Sequence, residues 1–125
     1  MTTRTAACTC GALSVTASGE PTKISACHCH ACQRRTGSAF SVAVFYDREQ
    51  VTQTGPSSTY VRPGDSGLNV EFHFCPTCGT SVLWYPEFRP KLAAVAIGCF
   101  ADAGPGGPTQ AVYEDFRQPW VTVAT

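Results

Sequence analysis

A domain of short, mostly antiparallel β-strands is what this sequence predicts, and three observations carry the prediction. Eleven glycines and nine prolines break the 125 residues at short, regular intervals. Between the breaks, apolar and polar side chains alternate with a period of two, the spacing of a strand with one buried face. Only Ala31 to Thr36 reads as helical. It makes one or two turns ahead of Gly37, a residue able to take the left-handed conformation that ends a helix.

The elements follow in chain order. Ala12 to Ala17 alternates and stops at Ser18-Gly19-Glu20-Pro21. Ala39 to Tyr46, rich in Val and Phe between Gly37 and Asp47-Arg48, reads as a core strand. Thr59 to Arg62 is short and meets Pro63-Gly64. Val70, Phe72 and Phe74 alternate with Glu71 and His73, and the turn Pro76 to Gly79 leads back along Ser81 to Tyr85, so the pair is expected to form a hairpin. Lys91 to Phe100 fits both periods. Alternation of Val95, Ile97 and Cys99 between Pro90 and the loop Gly104 to Pro108 favours a strand. Ala111 to Phe116 and Trp120 to Val123 read as a closing strand and tail split by Pro119.

Length and charge narrow the function. A chain of 125 residues forms one domain, 1–125, with no room for a second core. Nine Lys and Arg balance nine Asp and Glu, so there is no basic excess of the kind that displaces counterions from nucleic acid. At 43% hydrophobic the chain can fold, and no apolar run approaches the ~20 residues that cross a bilayer. Met1 to Ala7 lacks the apolar stretch of a secretory signal, so a cytoplasmic location is expected. In that reducing compartment cysteines serve metals or catalysis rather than disulfides.

Seven of the eight cysteines fall into three clusters: Cys8 and Cys10; Cys27, Cys29 and Cys32; Cys75 and Cys78. The Cys75-Pro76-Thr77-Cys78-Gly79 segment is a knuckle, two thiolates at a tight turn with a glycine that lets backbone amides approach sulfur. A closed structural zinc needs four ligands, and Cys8-Thr9-Cys10-Gly11 supplies the matching pair, both thiols on one side of an extended segment. Buried disulfides or free thiols are the alternative.

The central cluster offers three thiolates, which leaves a zinc ion one position for water or substrate, as in catalytic sites. A fourth protein ligand remains open, with Cys99 and His30 as candidates. Alternation turns His28 and His30 away from the face shared by Cys27 and Cys29, and Cys99 on an apolar strand also fits a packed core thiol. Arg34, Arg35 and Thr36 follow the cluster and could bind substrate carboxylates. His73 could act as an acid or base if it faced the site. Trp84, Tyr85, Phe88 and Trp120 are taken as core or rim aromatics.

The order Cys8-x-Cys10-Gly11, Cys27-His28-Cys29-x-x-Cys32-Gln33-Arg34-Arg35-Thr36-Gly37-Ser38 and Phe74-Cys75-Pro76-Thr77-Cys78-Gly79-Thr80 resembles the glutathione-dependent formaldehyde-activating enzyme family, also called the Gfa or CENP-V-like family, from about Cys8 to Trp120. The resemblance implies an all-β tent built around a structural zinc on Cys8, Cys10, Cys75 and Cys78 and a catalytic zinc on Cys27, Cys29 and Cys32. It also implies a carbon–sulfur lyase activity, the reversible addition of formaldehyde to glutathione. Cys99 and Phe100 depart from the pattern, which carries a small polar residue and leucine there.

Two functions follow. One is a zinc-dependent carbon–sulfur lyase acting on a small thiol, such as glutathione, and an aldehyde. The other is a non-catalytic zinc-binding module with a protein partner. A thiol redox protein is a third class, for which the Cys-x-x-Cys pairs would have to cycle.

Overall fold

Two sheets of unequal size account for most of the chain in the computed structural model, which describes residues 1–125. The strands are β1 (Thr3–Ala7), β2 (Ser14–Ser18), β3 (Lys23–Cys27), β4 (Ser41–Asp47), β5 (Val51–Thr54), β6 (Ser58–Pro63), β7 (Asn69–Phe74), β8 (Ser81–Pro86), β9 (Leu92–Ala96) and β10 (Gln110–Val112). One helix, α1 (His30–Thr36), joins β3 to β4. The small sheet has the order β1-β2-β5, the large one β10-β3-β4-β9-β8-β7-β6. Every pairing is antiparallel except β10 with β3. The domain is thus all-β, as its punctuation predicts.

Alternation decides what each face does. Ala6, Leu13, Val15 and Ala17 of the small sheet and its turn pack against Ile24, Val44, Tyr46, Leu83 and Val95 of the large sheet to form the main core. Each fully buried Val or Leu there contributes about 1.5–3 kcal/mol of transfer free energy. The opposite face of the large sheet carries a second, smaller cluster that includes Ala43, Phe45, Val70, Phe72, Trp84 and Ala94. Register places Phe72 beside Trp84, Trp84 beside Ala94, Ala94 beside Phe45 and Phe45 beside Lys23, so one row of side chains runs across five strands.

Some expectations need correction. The strand read over Lys91 to Phe100 stops at Ala96, and 3-10 turns over Ile97–Ala103 fold Phe100 back into the core, with its ring 6.5 Å from Tyr46. The closing strand is only Gln110–Val112; Glu114–Phe116 is a 3-10 turn and Trp120 to Val123 is not a strand. The helix is as expected, seven residues ended by Gly37 at φ 61°. Strands β1, β3 and β5 add to the expected set.

Candidate functional site

The first thiol group joins two turns that lie far apart in sequence. After β1 the chain reverses through Cys8 to Leu13, with Gly11 at φ 84° and the Cys8 amide donating to the Leu13 carbonyl at 2.9 Å. The β7–β8 turn does the same: the Cys75 amide donates to the Thr80 carbonyl at 3.0 Å, the Gly79 amide to the Cys75 carbonyl at 2.8 Å, and Gly79 sits at φ 80°. The Thr9 amide donates to the Thr80 hydroxyl at 3.1 Å and stitches the turns together.

Four sulfurs, those of Cys8, Cys10, Cys75 and Cys78, lie within 4.8 Å of one another, and the Cys8–Cys10 and Cys10–Cys75 separations are both 3.7 Å. A tetrahedron with metal–sulfur bonds of about 2.3 Å has an edge of about 3.8 Å, so this donor set fits a tetrahedral metal ion. Backbone amides support the thiolates. Leu13 donates to Cys8 Sγ at 3.3 Å and Thr77 to Cys75 Sγ at 3.4 Å. The Leu13 amide pulls the Cys8 thiol below its ordinary value, and the Thr80 hydroxyl, with backbone donors, brings Cys78 down to about 5.

The second group sits where β3 becomes α1. Cys27 ends the strand, Cys29 is the helix N-cap and accepts the Cys32 amide at 3.3 Å, and Cys32 lies in the first turn. Their three sulfurs are within 4.8 Å of one another. Neighbours hold the segment: the His28 amide donates to the Val112 carbonyl at 3.1 Å, and Gln33 Nε2 donates to the carbonyls of His28 at 2.7 Å and Phe116 at 3.0 Å. The Cys32 thiol is brought down to about 5, because Cys27 and Cys29 donate to its sulfur and Arg35 and Arg62 add positive charge. The contact with Cys32 and burial push Cys27 upward.

Neither Cys99 nor His30 belongs to the three-sulfur group. Cys99 lies in the 3-10 segment and lines a shallow groove with Cys8 and Cys78. The His30 ring packs edge-on against Phe116, with centroids 4.7 Å apart. His28 is wholly buried beside Phe40, and neither ring nitrogen has a hydrogen-bond partner.

The three sulfurs open into a cavity of about 600 Å³ formed by the second face of the large sheet. Arg35 reaches it because residues three apart share a helix face with Cys32. Its Nη2 donates to Ser41 Oγ at 2.6 Å, and its guanidinium stacks 4.3 Å from the ring centre of Trp84. Burial lowers the Arg35 pKa from its ordinary value. The other two residues expected beside it are placed elsewhere. Arg34 is exposed and outside the cavity, and the Thr36 hydroxyl donates back to the Cys32 carbonyl at 2.8 Å while its side chain borders the groove instead.

His73 lines neither space: Nδ1 pairs with the Ser57 hydroxyl at 3.0 Å and Nε2 with Glu71 at 2.7 Å. Trp84, taken from sequence as an aromatic without a role, forms the cavity wall, and Arg62 joins it with no local motif to mark it. The alternation of Val70, Phe72 and Phe74 was the available signal that one face of this hairpin is apolar.

An all-β domain with two thiol groups that could each hold a metal ion is therefore the class that fold and site define. The sequence matches the glutathione-dependent formaldehyde-activating enzyme family over residues 3–116, and the chain belongs to that family. Its fold is similar to the crystal structure of a Rhodobacter sphaeroides protein, with a TM-score of 0.65, 19% identity, and coverage of 86% of this chain and 98% of that one. No curated protein matches the sequence. No helix is long and apolar enough to cross a membrane.

Proposed function

We propose that this protein is a zinc-dependent carbon–sulfur lyase that reversibly adds an aldehyde to a small thiol, in the manner its family's name describes. One observation carries the reading: three sulfurs without a fourth protein ligand open into a cavity that also holds a half-buried arginine. Cys8, Cys10, Cys75 and Cys78 would hold a structural zinc, and Cys27, Cys29 and Cys32 a catalytic one. When bound there, zinc supplies a site that favours a thiolate over a thiol or polarises a carbonyl oxygen.

The chain's own residues do the rest. The thiol sulfur bonds to the carbonyl carbon and the thiol proton ends on the carbonyl oxygen, so no oxidant or second cofactor is needed. Arg35 fixes a substrate carboxylate through a guanidinium held by Ser41 and Trp84. Three thiolates already weaken the acidity of a bound metal, so orientation carries more of the rate than activation does.

Purified zinc-loaded protein should raise the initial rate of adduct formation from formaldehyde and a thiol above the spontaneous rate, and Cys29→Ser should remove the gain. Absence of any gain with glutathione, cysteine and other common thiols would end this reading. The non-catalytic alternative draws on the exposed aromatics Tyr113, Phe116 and Trp120. It predicts two fully protein-coordinated zinc ions that do not exchange a ligand for added thiol.

A further inference from the structure

The cavity walls place two cations where proteins seldom leave them unpaired. Arg35 and Arg62 hold their guanidinium carbons 5.1 and 5.2 Å from the ring centre of Phe72. Arg35 Nε and Arg62 Nη1 are buried without a hydrogen-bond partner, and the molecule's ion pairs, Arg4 with Glu20 and Glu71 with His73, lie elsewhere. A buried donor without a partner costs roughly 1–3 kcal/mol, and more when charged.

Charge compensation of the cysteines does not account for both. The cavity's fixed charges outside the thiol group are Lys23, Arg35 and Arg62 against Asp65 alone. Three thiolates around one divalent ion add one formal negative charge, which leaves the lining one positive charge in excess. Asp65 already accepts the Tyr113 hydroxyl at 2.9 Å. Phe45, Val70, Phe72, Trp84 and Phe88 supply the apolar part of the same lining.

We propose that the cavity takes a monocarboxylate with a planar or branched apolar body, its carboxylate between Arg35 and Arg62 and its body against the apolar lining of Phe45, Val70 and Phe88. A zwitterionic peptide thiol fits this lining less well, because its ammonium finds only Asp65, which already accepts the Tyr113 hydroxyl. A one-carbon aldehyde alone leaves most of the 600 Å³ empty. As a statement about substrate this rests on the lyase reading; as a statement about binding it does not.

Benzoate and its neutral near-isostere benzamide test the inference without turnover. Titration calorimetry on the zinc-loaded protein should show benzoate binding about tenfold or more tightly than benzamide. In nitrogen-15 spectra of the same protein, the Nε–H signals of Arg35 and Arg62 should shift with benzoate and hold still with benzamide. Arg62→Gln should bring benzoate down to the affinity of benzamide. Equal affinity for the two probes, unmoved arginine signals, or benzoate affinity unchanged by Arg62→Gln would overturn the inference. The spectra need no variant, and they separate carboxylate held by arginine from carboxylate held only by metal. Loss of the benzoate effect with adduct formation intact refutes this inference alone. Benzoate binding without any adduct formation refutes the lyase reading alone.

Discussion

Replacing Cys8 and Cys10 together with serine should destabilise the protein about twice as much as replacing Cys27 and Cys29, although both doublets remove two ligands. The difference comes from what each metal ion ties together. Cys10 and Cys75 are 65 positions apart, so an ion shared between their turns closes a long loop in the unfolded chain. The chain-entropy relation for a cross-link of that span gives about 4 kcal/mol at 25 °C. Cys27 and Cys32 are five positions apart, for which the same relation gives about 2 kcal/mol. Serine keeps the shape of each side chain, so little packing is lost directly.

Urea denaturation of zinc-loaded protein, followed by tryptophan fluorescence, measures both. With a slope near 2 kcal/mol/M, the midpoint should fall by about 2 M for Cys8→Ser/Cys10→Ser and about 1 M for Cys27→Ser/Cys29→Ser. In excess chelator the wild type and both variants should converge on one midpoint. Equal losses from the two doublets, or a Cys8/Cys10 difference that survives chelation, would refute the cross-link argument.

Other outcomes follow from the same geometry. In metal-stripped protein at pH 6.5, iodoacetamide should label Cys32 well ahead of Cys27 by mass spectrometry, because a thiol held at about 5 is ionised there while one pushed upward stays protonated. Arg35→Lys keeps the charge but loses the planar stack on Trp84 and the fixed bond to Ser41; kcat/KM for adduct formation should fall roughly tenfold to a hundredfold, whereas Arg34→Ala should change it less than about twofold. Gly55→Ala should lower stability by about 3 kcal/mol in thermal or urea unfolding, since a Cβ there would stand 1.9 Å from the Ala12 carbonyl oxygen at a backbone φ of 94°.

Local patterns were readable in the sequence, and long-range ones were not. The thiol groups could be assigned because their spacings are one and two residues, and the hairpin of β7 and β8 because its apolar positions alternate around a glycine turn. Strands such as Thr-Arg-Thr-Ala-Ala and Lys-Ile-Ser-Ala-Cys carry too little hydrophobic contrast to stand out, and only pairing makes them strands. Arg34 and Arg35 look equivalent in sequence. The helix separates them, because only Arg35 shares a face with Cys32. Arg62 reaches the cavity through pairing of β6 with β7, opposite Val70, a relation that no motif near the cysteines encodes. The turn at Ile97–Ala103 overrides an alternation that continues on paper, since Phe100 gains a place in the main core by leaving the strand.

The parallel pairing of β10 with β3 has a consequence in time. Gln110 meets Ser25, 85 positions earlier, so at a synthesis rate of about 5–20 residues/s the strand that carries Cys27 waits roughly 4 to 17 s for its edge partner. Until then the His28 amide lacks the Val112 carbonyl, and the cavity lacks Tyr113 and Phe116. The three thiols are meanwhile accessible to any metal or oxidant in the surrounding solution. During biosynthesis, therefore, an ion held in this site would be chosen by what the nascent chain meets first as well as by the affinity of the finished pocket.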